Sequence, residues 1–396
     1  MSGKTAFQKI VDTHCAKTLS DGSMVLRLDM VWGHEITPPP GIIDAQERGF
    51  DVVFNPNRVK MMIDHVNPAK DKESAIQGQI VRNWSKKHQV EFLDVGRNGI
   101  CHRIIPEAGW VRPGQTAMMP DSHTCSHGAF GAFTAGGGTT DWEVAVITGL
   151  FVCPPQKVIR VNFVGSPLAN IYGKDLILAF IHKIGVKGAT NAVLEFGGSV
   201  IDAMKMEDRI SITNMAVEAG ATCGMMPVDE KMVECLYPIL GQLYAKKGPY
   251  LSQSELAKHM ASEFNSDSDA VYDQVIEIDA SEMAPMITNN YSPGDVVHVS
   301  ELENKPINQV FIGSCTLDGL NGLRTAAEVI EVLGGKIADS VRCVVIPATQ
   351  HIYELALRDG TLGKLAKAGC FISGPSCGAC LGMSCGVLAP GEVCVS

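Results

Sequence analysis

QVFIGSC (309–315) and CFISGPSCGAC (370–380) each run from an apolar, β-branched stretch into small residues and then a cysteine. That pattern predicts parallel strands delivering cysteines on loops at their carboxyl ends, where ligands of α/β sheets gather. Cys315, Cys377 and Cys380 are thereby expected to converge, with no obvious fourth thiolate. The number matters chemically. A [4Fe–4S] cluster held by four cysteines is closed and suits electron transfer, whereas one held by three keeps an open iron that can act as a Lewis acid. Spacing alone also admits zinc, a redox pair or buried core thiols. Cys370 falls inside the apolar run and reads as core; Cys385 and Cys394 lie nearby without the same setting.

Composition narrows the class. A chain of 396 residues is long enough for two or three α/β lobes. With 45% hydrophobic and 19% charged residues it is ordinary globular material, and a formal charge of −10 argues against a general nucleic-acid binder. The N-terminal MSGKTAFQKIVDTHC lacks a signal-peptide core, and no apolar stretch reaches membrane length. Thirteen cysteines in a chain of this size imply a reducing compartment, the cytoplasm.

Outward from the cysteines, the same alternation of strand and helix recurs. The spacing of Phe7, Ile10 and Val11 predicts a helix over 5–16, and VLRLDMVW (25–32) reads as one strand leading to His34 and Glu35. DVVF (51–54) and VKMMIDHVNP (59–68) read as two more strands, the second placing Asp64 and His65 at its mouth. A helix over 74–88 and a strand over 90–96 follow. An apolar strand then runs into Asp121, Ser122, His123 and Thr124, followed by glycine-rich turns and a helix starting near Thr140. No GxSxG elbow exists, so Ser122 beside His123 is not read as a hydrolase pair, and the triple glycine lacks a following GKS or GKT.

KVIRVNFVG (157–165) opens a second lobe, with a long helical segment over 206–221 on which Asn214 and Glu218 share a face while Ile210, Met215 and Val217 pack. The stretch 252–269 reads as a surface helix and loop. Two further βα units then flank the cysteines, with one helix expected over 323–335 and another over 353–369. The expected lobes are 1–155, 156–280 and 281–396.

HEIT (34–37), DH (64–65), PDSHTCSHGAFGAF (120–133), MEDRISITNMAVEAGA (206–221), GSCT (313–316), PAT (347–349), GPSCGACLG (374–382) and LAPGEVC (388–394), occurring in this order, resemble the aconitase superfamily over nearly the whole chain. The nearest resemblance is to the large subunits of its two-chain, isopropylmalate-type dehydratases. It implies three α/β/α lobes around a [4Fe–4S] cluster held by Cys315, Cys377 and Cys380, one iron being open, and a stereospecific dehydration and rehydration of a small hydroxy-dicarboxylate. The implied reaction is 2-isopropylmalate/3-isopropylmalate interconversion in leucine biosynthesis. Homoaconitase or a dimethylmaleate- or citraconate-type hydratase is the alternative, and an iron-sensing, RNA-binding relative a more distant one.

The resemblance also implies site roles. His65 with Asp64 would serve as acid for the leaving oxygen, and Asp121 and His123 would orient the bound water and hydroxyl. Glu218 joins the catalytic set, while Ser122, Thr124, Asn214 and His34 bind substrate. A separate small subunit would supply the swivelling fourth domain, so a hetero-oligomer is expected, with neither nucleic acid nor membrane as partner. Two departures stand out. Leu317, Asp318 and Gly319 replace the usual Asn-Gly-Arg, and the sequence stops before the NRNFxGR segment of the family, so the natural chain is expected to continue past Ser396.

Overall fold

The computed structural model describes residues 3–246, 251–289, 291–302, 305–317 and 319–396. They divide into one compact unit of Met1–Trp32, Val52–Arg58 and Ile105–Glu303, and another of Gly33–Asp51, Val59–Ile104 and Asn304–Ser396.

In the first unit four parallel strands lie in the order Cys223–Met225, Ala192–Gly197, Lys157–Val164, Gln274–Asp279. All six residues of Ala192–Gly197 are buried, as a parallel strand covered on both faces must be. The period of two divides the faces. Ile159, Val161, Phe163, Leu194 and Phe196 pack with Phe180 and Ile181 of the helix Gly173–Ile184. Val158 and Val193 turn to the other face, where Phe7 and Ile10 of the helix Ala6–His14 cover them. Each such buried side chain contributes about 2 kcal/mol, so the two cores make this sheet the rigid part of the unit.

The helix Ala6–His14 is shorter than the expected 5–16. Thr5 caps it, accepting from Gln8 N–H while the Gln8 side chain accepts from Thr5 N–H, and Cys15 already belongs to a strand. VLRLDMVW is likewise two strands. Met24–Arg27 sits between Cys15–Thr18 and Leu150–Cys153 in an antiparallel sheet, whereas Met30–Gly33 pairs in parallel with Thr116–Met119. The crossing is at Leu28 and Asp29, whose N–H groups donate to Gly149 and Thr116 carbonyls. An unbroken apolar run does not reveal such a change of sheet. DVVF forms no strand: Val52 is exposed and Phe54 N–H donates to the Val146 carbonyl.

In the second unit the helix Pro38–Glu47 starts on three prolines, which its first turn tolerates because those N–H groups lack intrahelical partners. Val59–Met62 pairs in parallel with Glu91–Leu93. The strands Phe371–Ile372, Arg342–Val345, Gln309–Ile312 and Cys394–Val395 form a second parallel sheet in that order. Helices Gly319–Val332, Gln350–Arg358 and Thr361–Lys367 cover it through Leu323, Ala327, Ala356, Leu362 and Leu365. The last two replace the single helix expected over 353–369, because Gly360 takes the left-handed conformation between them (φ +82°). Cys370 is buried in this core, as its apolar context indicates. The architecture is α/β with parallel sheets.

Candidate functional site

In the second unit the strand Val59–Met62 ends just before Asp64 and His65, both buried. The turn holding them is fixed from beneath by Glu35, 1% exposed. Its Oε2 accepts from Asp64 N–H at 2.9 Å and its Oε1 from Val66 N–H at 2.6 Å, so the residues flanking His65 hang on one carboxylate. Burial raises the pKa of Glu35, assisted by the charge of Asp64 and opposed by His65 and the two backbone bonds. For Asp64 the balance is reversed. Burial works against its ionisation, but the charge and hydrogen bond of His65, a bond from Cys101 and the charge of His34 outweigh it, leaving the pKa below the usual carboxylate value. Asp64 Oδ2 lies 3.3 Å from His65 Nδ1 and 3.0 Å from Cys101 N. The His34 ring stacks on His65 at 4.0 Å between centroids and 21° between planes.

The cysteine loop is tied to this turn. Cys377 N–H donates to the Asp64 carbonyl at 3.1 Å and Gly378 N–H to that of His65 at 3.4 Å. Ser376 Oγ donates to the same His65 carbonyl at 3.1 Å, and Asn67 Nδ2 to the Pro375 carbonyl at 2.7 Å. The DH turn and the GPSCGAC loop, more than 300 residues apart in sequence, thus share one hydrogen-bonded frame. Cys377 opens the short helix Gly378–Leu381, and Cys315 follows the strand Gln309–Ile312. A hydrogen bond with Cys380, then burial, then the charges of Asp64, Cys380 and Cys315 push the Cys377 thiol's pKa up. Cys315 and Cys380 thus both act on the Cys377 thiol, and a cationic centre bound there would relieve that opposition to its ionisation, so these residues fit an iron–sulfur cluster.

His34, Glu35 and His65 also bring one donor atom each within 4.8 Å of one another. Each Glu35 oxygen accepts from a backbone N–H and His34 Nδ1 accepts from Ile36 N–H at 3.2 Å, so these contacts of the trio hold the DH turn in place.

The first unit assembles the other expected residues. Asp121 caps the 3₁₀ segment Ser122–Phe130, its Oδ1 accepting from His123 N–H at 2.8 Å. Ser122 Oγ is 3.0 Å from His123 Nδ1, and His123 Nε2 is 3.3 Å from Glu218 Oε1, both side chains being about one-third exposed (34% and 35%). Thr124 is buried and donates to the Asp121 carbonyl at 2.6 Å, which makes it a turn-former. Buried Asn214 donates to Ser126 Oγ at 2.6 Å. The long helix expected over 206–221 is α-helical over Met206–Asn214 and 3₁₀ over Met215–Ala219, and Asn214 and Glu218 both reach the Ser122–Phe130 segment. A Cβ on Gly128 would stand 1.8 Å from the Gly224 carbonyl oxygen, and one on Gly136 2.5 Å from that of Asp121. Glycine is needed at both close approaches.

Glu35, Ser126 and Ser376 are site-shaping residues that reading the sequence did not single out for a role; only Glu35 gave a signal, as an acidic residue directly after a buried apolar strand. Of the triplet that departs from Asn-Gly-Arg, Asp318 lies outside the described residues. Leu317 packs on the helical core, where a Cβ on Gly322 would meet it at 2.6 Å, and Gly319 opens the following helix with φ +42°.

Residues 8–396 match the model of the aconitase family (aconitate hydratase). The chain belongs to the aconitase family. It is 47% identical over 395 residues to the 3-isopropylmalate dehydratase large subunit of Geobacter sulfurreducens (strain ATCC 51573 / DSM 12127 / PCA), covering 100% of this chain and 90% of that one. Identity to the protein of the same name from Desulfosudis oleivorans (strain DSM 6200 / JCM 39069 / Hxd3) is also 47%, with the same coverage. The 3-isopropylmalate dehydratase large subunit 1 of Methanopyrus kandleri is 38% identical over 396 residues, again 100% of this chain and 90% of that one. Among solved structures, the aconitase X holo-form of Thermococcus kodakaraensis matches 94% of this chain and 83% of its own, with TM-score 0.53 and 14% identity, a likeness of fold. Membership of this aconitase family implies an iron–sulfur cluster. No helix among the described residues is long and apolar enough to cross a membrane.

Proposed function

We propose that this chain is the large subunit of a 3-isopropylmalate dehydratase, a hydro-lyase interconverting 2-isopropylmalate and 3-isopropylmalate in leucine biosynthesis. The observation that carries the reading is 45–47% identity along the whole chain to large subunits of that name. Homoaconitate and dimethylmaleate or citraconate undergo the same kind of hydration at a carbon–carbon double bond between carboxylates and are the competing substrates. The net charge of −10 weighs against an RNA-binding relative.

Breaking an unactivated C–O bond requires a proton for the departing hydroxide. His65 is the proposed donor. With Nδ1 turned to Asp64 at 3.3 Å, Nε2 carries the proton that leaves with the hydroxyl as water, and Asp64 holds the ring in that orientation. Glu35 holds the backbone on either side, and the stacked His34 ring limits rotation of the imidazole. Asp121, through the His123 N–H, and Glu218, through Nε2, orient His123 toward water and substrate hydroxyl. Ser122, Asn214 and His34 complete the proposed substrate contacts, while buried Thr124, expected from the sequence among them, shapes the turn that carries Asp121 and His123. Cys315, Cys377 and Cys380 would hold a [4Fe–4S] cluster, which when bound supplies an open iron as Lewis acid for the hydroxyl. The carbon-bound proton goes to a base on a small subunit that brings the swivelling domain, of about 150 residues, so the working enzyme is a hetero-oligomer.

Three lobes at 1–155, 156–280 and 281–396 and a cytoplasmic location belong to the same proposal; the parallel sheets of the chain and its thirteen cysteines support them. The test is anaerobic reconstitution with a small subunit and assay on a panel of alkylmalates and alkylmaleates. Preference for isopropylmalate supports the reading, and turnover of none of the panel overturns it.

A further inference from the structure

The face of the first unit's sheet that packs on the helix Ala6–His14 carries Arg160 and Glu195 beside the apolar residues Val158 and Val193. The two charged residues are register partners on adjacent parallel strands. Between them and the segment Asn265–Ser266 lies a cavity of about 210 Å³, with Ala6, Met225 and Pro227 also in its wall. It is below the roughly 300–1,000 Å³ of pockets for drug-sized ligands, so its occupant is small. The helix carrying Glu218 packs with the core on the opposite face of this sheet, so the cavity is separate from the site described above.

Both charged groups are held in place yet retain bonding capacity. Arg160 Nε donates to Asn162 Oδ1 at 2.8 Å and the guanidinium lies over the Tyr272 ring at 6.0 Å. A Cβ on Gly197 would stand 1.8 Å from Nη2, so that glycine leaves the space the fork occupies. Nη1 and Nη2 have no hydrogen-bond or ion-pair partner among the described residues. Glu195 is 3% exposed; its Oε1 accepts from Phe7 N–H at 3.0 Å, and its Oε2 from Ser266 Oγ at 2.6 Å and Tyr272 OH at 3.2 Å. A carboxylate offers about four acceptor positions, so one remains, on Oε1.

We propose that this cavity binds a free α-amino acid with a small apolar side chain. The carboxylate would take the guanidinium fork in a bidentate pair, the ammonium would take the last position on Glu195, and the side chain would lie on Met225 and Pro227. As register partners on adjacent strands, about 4.8 Å apart along the backbone, the two residues stand side by side, so one small ligand can touch both. A dicarboxylate would meet Glu195, and a simple amine would meet Arg160, so the zwitterion is the small ligand that satisfies both.

Calorimetric titration of the full chain with L-valine and L-leucine tests this, with isovalerate and isobutylamine as single-charge controls. The expected result is saturable binding of an amino acid at one site per chain, at least about tenfold tighter than either control. Arg160→Gln and Glu195→Gln should each weaken it about tenfold or more, and Arg160→Lys, which keeps charge but loses the fork, should also weaken it if the buried Glu195 variant fails to fold. His65→Ala should leave it unchanged. Absence of saturable heat, equal binding of isovalerate, or unaltered affinity in Arg160→Lys and Arg160→Gln would overturn the proposal.

Discussion

The two halves of the candidate machinery are built differently. Around His65, groups distant in sequence are buried and tied together through backbone: Glu35 takes the N–H groups of residues 64 and 66, and the cysteine loop donates to the carbonyls of residues 64 and 65. Around His123 the bonds are mostly local, within one 3₁₀ segment, and the His123–Glu218 pair is one-third exposed. Low dielectric strengthens fixed interactions and solvent screens exposed ones, so the first arrangement suits the proton donor proposed for it and the second the orienting part proposed for His123. Substitutions in the buried frame should therefore cost more.

Five predictions sharpen that contrast, beginning with the largest effect. Cys377→Ser, removing the thiol of the residue whose N–H donates to the Asp64 carbonyl, should abolish bound iron and sulfide in anaerobically purified protein and take activity to background while circular dichroism stays native; a full iron complement would break the ligand assignment. His65→Ala should lower kcat on the order of 10²-fold or more with iron content intact. His123→Ala should cost less, about tenfold, acting mostly on KM; equal kcat losses would erase the distinction between the two regions.

Glu35→Gln should be intermediate. The amide can accept from only one of the two N–H groups and turns its own NH₂ toward the other, a loss of about 1–3 kcal/mol in stability. Because the DH turn then loosens, kcat should fall with KM nearly unchanged and the pH–rate profile should shift. Lost stability with unaltered kcat and pH profile would reduce Glu35 to a structural role.

The smallest effect is expected at His14 and Asp29, a partly exposed His–carboxylate pair 2.8 Å apart in the first unit. The hydrogen bond to Asp29 raises the His14 pKa against burial. A raised folded-state value means the pair's stabilisation is fully present below the unfolded histidine pKa and is lost as pH rises through the folded one. Its size, discounted for solvent, is up to about 1 kcal/mol. Denaturant midpoints of wild type and His14→Gln across this range should converge at high pH; a constant gap would mean that the pair's charge contributes nothing.

Alternating apolar runs and glycine punctuation made the parallel α/β character legible, because a strand buried on both faces is mostly apolar: Lys157–Val164, Ala192–Gly197 and Arg342–Val345 all lie inside stretches read as strands. The chemistry-bearing stretches were legible by residue type, since cysteines after a strand and a His beside an Asp are uncommon in packing alone. Burial pattern could not reveal that the strand expected over 25–32 changes sheets at Leu28–Asp29, or that DVVF stays irregular; both depend on which distant backbone groups offer partners, Gly149 and Thr116 in the first case and Val146 in the second.

What the sequence determined by itself is thus the inventory of elements and donors, together with the family they resemble. Only the tertiary structure decided that Glu35 holds residues 64 and 66, that Cys377 hangs on the Asp64 carbonyl, and that Arg160 and Glu195 meet on one face of a sheet. The physical reason is common to all three. Local sequence sets which way a side chain faces along its own strand or helix, but a hydrogen bond or a charge pair needs a second partner, and that partner's position follows from strand order and register across the whole fold.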